Sequence, residues 1–333
     1  MPEMHRIKEF IDQATQSIQA QGALWSRFIL LSERDGSAAE LKRRLIASPE
    51  IQAVVRSLAD AEHGLASLSR RPADFFNYHS FYWQLRFLAD VGLAADELGI
   101  LPCIHRLELD QQEDGQFSLS YIAKKQLSIQ LVCVTAHVTY CLIRLGLARG
   151  RTVAAAVNYF LSTQRRDGGW HCDRSRQNGE AEADLPSCPA ATIHVLKALG
   201  SLPQRPAMLR TSGLDMCFDY FNEPDRNLCE YSAEDGIALT KLRYPPHFSG
   251  LDVLNLLDTA TLFAEPAYAT PIDALIGSIL NQWDGAGWLI SQKKIPAWTG
   301  FDFGRSGQKS SWLTSLAVRA MQRAVESEEA RRR

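Results

Sequence analysis

The feature that most constrains this chain is a turn that it uses more than once. Gln164-Arg165-Arg166-Asp167-Gly168-Gly169-Trp170 follows a stretch, Val153 to Thr163, whose apolar residues recur every three to four positions, the period of an amphipathic helix. Asp-Gly-Gly ends that helix, because glycine reaches the positive φ angles that a reversal needs. After a polar loop the chain re-enters a helix at Ser187, with Pro189 in the first turn, where its missing N–H costs nothing. From Ala190 to Leu199 this second helix is apolar on most sides, which marks a helix buried on most faces. The unit is an amphipathic outer helix, a Q-x-x-D-G-x-W turn and a buried inner helix.

The unit recurs. Gln111-Gln112-Glu113-Asp114-Gly115-Gln116-Phe117 has the same spacing and precedes an apolar segment, Leu127 to Leu147, expected to be one helix. Gln282-Trp283-Asp284-Gly285-Ala286-Gly287-Trp288 is a variant, followed by a long loop and a helix from Ser310 to Ala324. Helical pairs repeated at roughly 50 to 60 residues form an array, in which each unit buries its apolar face only against its neighbours. The remaining segments fit the same scheme. Helices are expected at Met4–Ala20, Ala23–Leu31, Ala38–Ala47, Glu50–Ala61, Ser80–Asp90, Leu93–Leu107 (kinked or begun at Pro102), Leu209–Phe221, His247–Phe263 and Pro271–Gln282. The tail SEEARRR has no apolar pattern and is expected to fray, so residues 322–333 are set apart from the core.

These turns, each followed by an apolar helix, resemble the repeats of squalene and terpenoid cyclases and of protein prenyltransferase β-subunits. Asp167-Gly168-Gly169-Trp170-His171-Cys172, Ser187-Cys188 and Lys309-Ser310-Ser311-Trp312-Leu313-Thr314-Ser315-Leu316 resemble bacterial squalene-cyclase-like proteins in particular. The resemblance implies an all-α fold, a single (α/α)6 toroid domain over residues 1–333 with six inner and six outer helices. It also implies an enzyme acting on an isoprenoid or other apolar small molecule in the bore. The rival is a toroid that binds a ligand or a partner protein without catalysis, since one fold hosts many functions.

Composition bounds the partners. With 46% apolar and 22% charged residues the chain has an ordinary globular balance. Its net charge of −2 argues against a general nucleic-acid binder, which needs a basic face. The start MPEMHRIKEF is charged rather than apolar, no long apolar run suggests a membrane span, and seven cysteines form no small-domain framework. The expectation is a cytoplasmic protein with reduced thiols and no integral membrane segment.

Candidate chemistry gathers where inner helices begin. Cys133 and His137 lie four apart on one helical face, Cys172 follows the hairpin Trp170, and Cys188 opens the next inner helix. Thiolate and imidazole are zinc ligand types, and prenyltransferase β-subunits, which this chain resembles, bind zinc near inner-helix starts. Zinc is therefore the candidate cofactor, with Cys133, His137, Cys172 and Cys188 as its ligands. The competing reading is simple packing, because cysteine is among the most buried residue types. His247 and Asp252, placed on the fifth inner helix, are candidate catalytic groups. Asp258 is a third, as the last acid of Asn255-Leu256-Leu257-Asp258-Thr259-Ala260, which resembles the D-x-D-D-T-A motif of protonating cyclases but lacks its companion acids. Arg243, Lys294 and Arg305 stand near loops where fixed positive charge could hold a phosphate or carboxylate of a bound molecule. Tyr82, Trp83, Tyr140, Trp298, Phe301, Phe303 and Trp312 could present ring faces to an apolar or cationic ligand. No phosphate loop, dinucleotide fingerprint, C-x-x-C, H-E-x-x-H or nucleophile elbow is present.

Overall fold

The computed structural model describes residues 2–31, 37–65, 75, 77–78, 80–117, 120–122, 127–129, 131–171, 187–223, 239–263 and 265–333. In chain order the helices are α1 (Pro2–Gln21), α2 (Leu24–Leu31), α3 (Ser37–Ile46), α4 (Pro49–Leu65), α5 (Phe81–Val91), α6 (Leu101–Glu108), α7 (Val132–Leu142) and α8 (Arg151–Thr163). They continue as α9 (Pro189–Gly200), α10 (Gly213–Asn222), α11 (Val253–Ala260), α12 (Ala269–Leu280) and α13 (Ser311–Arg332). Among the described residues strand is confined to two short antiparallel pairs, β1 (Ser120–Ile122) with β2 (Leu127–Ile129) and β3 (Leu289–Ile290) with β4 (Lys309–Ser310). The chain is thus mostly helical, as the periodicity implies. Among the described residues no helix is long and apolar enough to cross a membrane.

Two compact units are present. One comprises Met1–Leu45, Phe221–Asp225 and Ser232–Arg333; the other comprises Ile46–Tyr220 and Arg226–Tyr231. In the first, α13 packs against α1, α2, α11 and α12. In the second, α7 is the centre, packed on α5, α8 and α9. Every residue of α7 is buried, as is every residue of α9 from Pro189 to Leu199, so these two helices are core throughout.

The turns at Gln111 and Gln164 share one construction, and the turn at Gln282 varies it. Asp167 Oδ1 accepts from the Gly169 N–H at 3.0 Å and from Ser187 Oγ at 2.8 Å. Gln164 Nε2 donates to the carbonyls of Gly168 (2.9 Å) and Arg210 (2.6 Å), tying the turn to the segment that leads into α10. Gln111 does the same with Gly115 and with Thr152 in α8, at 3.0 and 2.8 Å. Gln282 instead donates to Ser278 and Thr240. Its turn has one residue fewer between glutamine and aspartate, and Asp284 Oδ1 alone gathers the N–H groups of Ala286 and Trp288.

Each turn ends on the helix that follows it. The N–H groups of Phe117, Trp170 and Leu289 donate to the hydroxyls of Thr135, Thr192 and Thr314, at 3.1, 3.1 and 2.9 Å. The indole of Trp170 is 1% exposed and donates back to the Phe160 carbonyl at the end of α8, while Trp288 is 8% exposed. Both tryptophans are therefore buried at their turns, as expected.

Four sequence expectations need correction. The helix placed at 127–147 starts at Val132, because Leu127–Ile129 pairs with Ser120–Ile122 as a strand. A three-residue apolar run has no period of its own to distinguish the two. Its far end, Ile143–Leu147, is a π-helical turn closed by Gly146 at φ +89°. The helix placed at His247 starts at Val253, after Gly250 at φ +72° breaks the backbone and Asp252 caps the new start. The tail is helical to Arg332 rather than frayed, since Glu328 pairs with Arg331 and Arg332, and Glu329 with Lys8 of α1.

Gly168 has φ +85°, and a Cβ there would run into Ser212 Oγ and come within 2.6 Å of the Gly213 N–H. Gly168→Ala is expected to destabilise by about 2–3 kcal/mol, whereas Gly300→Ala, where a Cβ meets nothing within 4 Å, should stay within about 0.5 kcal/mol of the parent. Urea titration of the two variants checks the contrast. Thr192→Val keeps the shape but removes the acceptor for Trp170, and the same titration should show a loss of about 1–3 kcal/mol.

Candidate functional site

Helices α5, α7 and α9 are apolar along most of their length, so the charged groups inside them are conspicuous. Arg86 and Asp90 lie one turn apart on α5, Tyr140 on α7 and Lys197 on α9, each no more than 3% exposed. Asp90 Oδ2 accepts from Arg86 Nε at 2.7 Å, and its Oδ1 accepts a short hydrogen bond from the Tyr140 hydroxyl. The Arg86 guanidinium stands 4.3 Å from the centre of the Tyr140 ring, and the Lys197 ammonium 5.4 Å from the same point. A carboxylate, a phenol and two cations thus share one buried volume.

Rings form the adjoining wall. His137, 1% exposed, lies 4.8 Å from Trp83, 5.1 Å from Phe75 and 6.1 Å from His194, measured between ring centres. Phe75 stacks on Trp83 at 5.2 Å, and Trp83 Nε1 donates to the Phe75 carbonyl. His137 Nε2 lies 3.0 Å from the Tyr82 carbonyl, which can only accept, so Nε2 carries the proton. Burial, then the positive charge of Arg86 and the neighbouring His194, push His137 well below the usual histidine value. It is a neutral imidazole. Burial likewise pushes the Cys141 thiol up, far from a thiolate.

The sequence carried a signal for this cluster in the repeat itself. Counted from each helix N-cap, the sixth residue is Arg86 after Ser80, His137 after Leu131, His194 after Cys188 and Asp258 after Asp252. The ninth is Tyr140 in α7 and Lys197 in α9. TAHVTYCL and TIHVLKAL are therefore two copies of one segment, with polar groups at the same two places. Treating α7 and α9 as uniformly apolar hid that correspondence.

Of the residues singled out by type, Tyr82, Trp83, His137 and Tyr140 lie in this cluster. Cys133 is buried on α7, and Cys188 is the N-cap of α9, its Sγ accepting from the Ala191 N–H at 3.5 Å. Cys172 lies outside the described residues. His137 has the disposition of a metal ligand, one nitrogen bonded to a carbonyl and the other open. Yet among the described residues no three His, Cys, Asp or Glu side chains converge as a metal site would require.

His247 and Asp252 do meet, but through the backbone. Asp252 Oδ2 accepts from the His247 N–H at 2.8 Å and Oδ1 from the Asn255 N–H at 3.2 Å, so the acid caps α11. The His247 ring is bonded to Ser249 Oγ at 2.7 Å. Arg243 is buried with Nε on the Pro245 carbonyl, Arg305 is exposed with Nε on the Thr299 carbonyl, and Lys294 is exposed. Of the aromatic candidates, Trp298, Phe301, Phe303 and Trp312 pack on one another in the first unit, with ring centres 5.2–5.7 Å apart.

Asp258 sits between two guanidinium groups. Arg323 of α13 binds its carboxylate and its carbonyl, and Arg319 approaches to 3.6 Å. The two ion pairs tie α11 to α13. Arg323 also lines a cavity of about 220 Å³ with Ile7, Thr261, Ile272, Ile276 and Glu328, and at its rim Glu328 pairs with Arg331 and Arg332. A double-mutant cycle of Asp258→Asn with Arg323→Gln should return a coupling of about 1–2 kcal/mol, because the pair is only partly buried. Thermal or urea unfolding reads it.

No protein-family model matches the chain, and no curated protein does. Among solved structures it is similar to the type II terpene cyclase MstE from Scytonema. One substituted form of that protein, in complex with its substrate geranylgeranyl dihydroxybenzoate, is 14% identical, with 98% of this chain and 99% of that one covered and a TM-score of 0.46. The apo form of MstE gives 14% identity, 97% and 99% coverage and a TM-score of 0.44. A protein from Actinoplanes gives 16%, 97% and 99%, and 0.41. Likeness at this level establishes neither a shared fold nor a shared reaction.

Proposed function

We propose that the chain is a terpenoid cyclase- or prenyltransferase-like enzyme acting on an isoprenoid or similarly apolar small molecule, with its chemistry at Arg86, Asp90 and Tyr140. The observation that carries the reading is this buried phenol, carboxylate and guanidinium set beside the rings of Phe75, Tyr82 and Trp83. Taking each ion out of water costs several kcal/mol, which apolar residues of similar volume would avoid. Buried titratable groups held together in this way are a mark of functional sites.

The arrangement suits carbon chemistry that passes through positive charge. Ring faces attract a cation, and they do so more strongly where water is excluded. Asp90, fixed by two donors, is a preorganised negative charge, and Tyr140 holds a proton at the point where the carboxylate receives it. The (α/α)6 toroid that the turns resemble belongs to the same proposal. Zinc has no step in it, since the described donors around His137 do not complete a ligand set.

Incubation of the purified chain with farnesyl- and geranylgeranyl-bearing compounds, followed by mass spectrometry of the extracts, tests the reading. A cyclised or transferred product is expected from at least one of them. Tyr140→Phe removes one oxygen and should lower the rate by about 10²-fold or more with little change in melting temperature. Asp90→Asn is the poorer probe, because it leaves Arg86 buried without its counter-charge. A full set of substrates returned unchanged, though bound, would favour the non-catalytic alternative; a fully active Tyr140→Phe would move the chemistry elsewhere.

A further inference from the structure

His137 Nδ1 is a buried acceptor with no hydrogen-bond partner among the described residues. Its ring cannot turn to find one without breaking the bond from Nε2–H to the Tyr82 carbonyl. The imidazole is uncharged, so its lone pair stays open. Nearly all buried polar atoms in folded proteins are paired, and an exception calls for a partner that arrives from outside the chain. Phe75, Tyr82 and Trp83 surround the imidazole edge-to-face at ring-centre distances of 5.1, 6.4 and 4.8 Å, and the indole N–H of Trp83 is already committed to a carbonyl. A hydroxyl at the end of an apolar chain needs only the one acceptor, and its carbon skeleton has the rings to pack against.

From this geometry we infer that His137 Nδ1 accepts a hydrogen bond from the bound molecule, so that the ligand is an apolar chain bearing a hydroxyl rather than a bare hydrocarbon. The inference rests on the reading that an isoprenoid-like molecule occupies this cluster, and it adds a specificity determinant to it. A neutral acceptor is selective in a way a charged group is not. It gives no advantage to a phosphate or a carboxylate, which bring acceptors of their own, and it rejects an ether, which has no proton to give.

The test compares two probes of nearly equal size, farnesol and farnesyl methyl ether, by equilibrium titration of the full chain with tryptophan fluorescence as readout. Farnesol is expected to bind about tenfold more tightly, the value of one hydrogen bond to a buried acceptor. In His137→Phe, which keeps an aromatic ring but loses the lone pair, the two probes should bind alike. Nitrogen-15 NMR of the histidine-labelled parent needs no variant: the unprotonated Nδ1 resonance should move on addition of farnesol and stay in place with the ether. Equal affinities and an unmoved Nδ1 in the parent overturn the inference while leaving the isoprenoid reading intact, as does a preference for farnesol that survives in a folded His137→Phe. Binding of neither probe removes that reading and this inference together.

Discussion

A backbone N–H at the end of each D-G turn donates a hydrogen bond to a threonine hydroxyl one turn inside the next buried helix, and much else follows from that bond. A helix that is apolar on all sides has little to fix its rotation, because sliding or turning it exchanges one hydrophobic contact for another. Thr135, Thr192 and Thr314 remove that freedom. A hydrogen bond is directional, and breaking it would strand a buried N–H. The threonine therefore sets the angle at which its helix presents every other residue. His137 and His194 stand two places beyond their threonines, and Tyr140 and Lys197 five, so the polar cluster takes its orientation from the turns.

The turn in its own right is a means of holding two helices with few residues. Aspartate folds the loop on itself, glutamine reaches to the next outer segment, and glycine lets backbones approach where a side chain would collide. Tryptophan fills the space beneath and is anchored by its indole N–H. Where the motif loses one residue, as at Gln282, the glutamine is spent on other carbonyls and aspartate takes over the closure. The threonine bond persists through this change, as do the aspartate and its bonds to the turn's backbone.

Polar residues at one repeat position have also been put to different ends. Histidine at the sixth place from the N-cap joins an aromatic wall in α7 and α9, and arginine there in α5 neutralises Asp90. In α11 the same place holds Asp258, whose partners are Arg319 and Arg323 of α13. Structural clamp and candidate reactive group are thus variants of one position. The difference lies in what the facing helix supplies: guanidinium groups in one case, rings and a phenol in the other.

Local chemistry made the helical class, the turns and their buried tryptophans legible from the residues alone, because periodicity and D-G spacing act within one or two turns of chain. The same locality explains the errors. A strand of three residues at Leu127–Ile129 and a cap at Asp252 depend on which neighbour wins a backbone hydrogen bond, and composition does not say. Chemistry across helices was beyond that reach. Asp90 meets Tyr140 fifty positions away, and Asp258 meets Arg323 sixty-five away, only once helix rotation is settled. Cys188, chosen for its type, became a helix cap, and His247 was drawn to Asp252 by its backbone rather than its ring. Residue type and spacing announced which groups were able to react; the packing of α5, α7 and α9, with α7 and α9 oriented by their threonine bonds, decided which of them share a site.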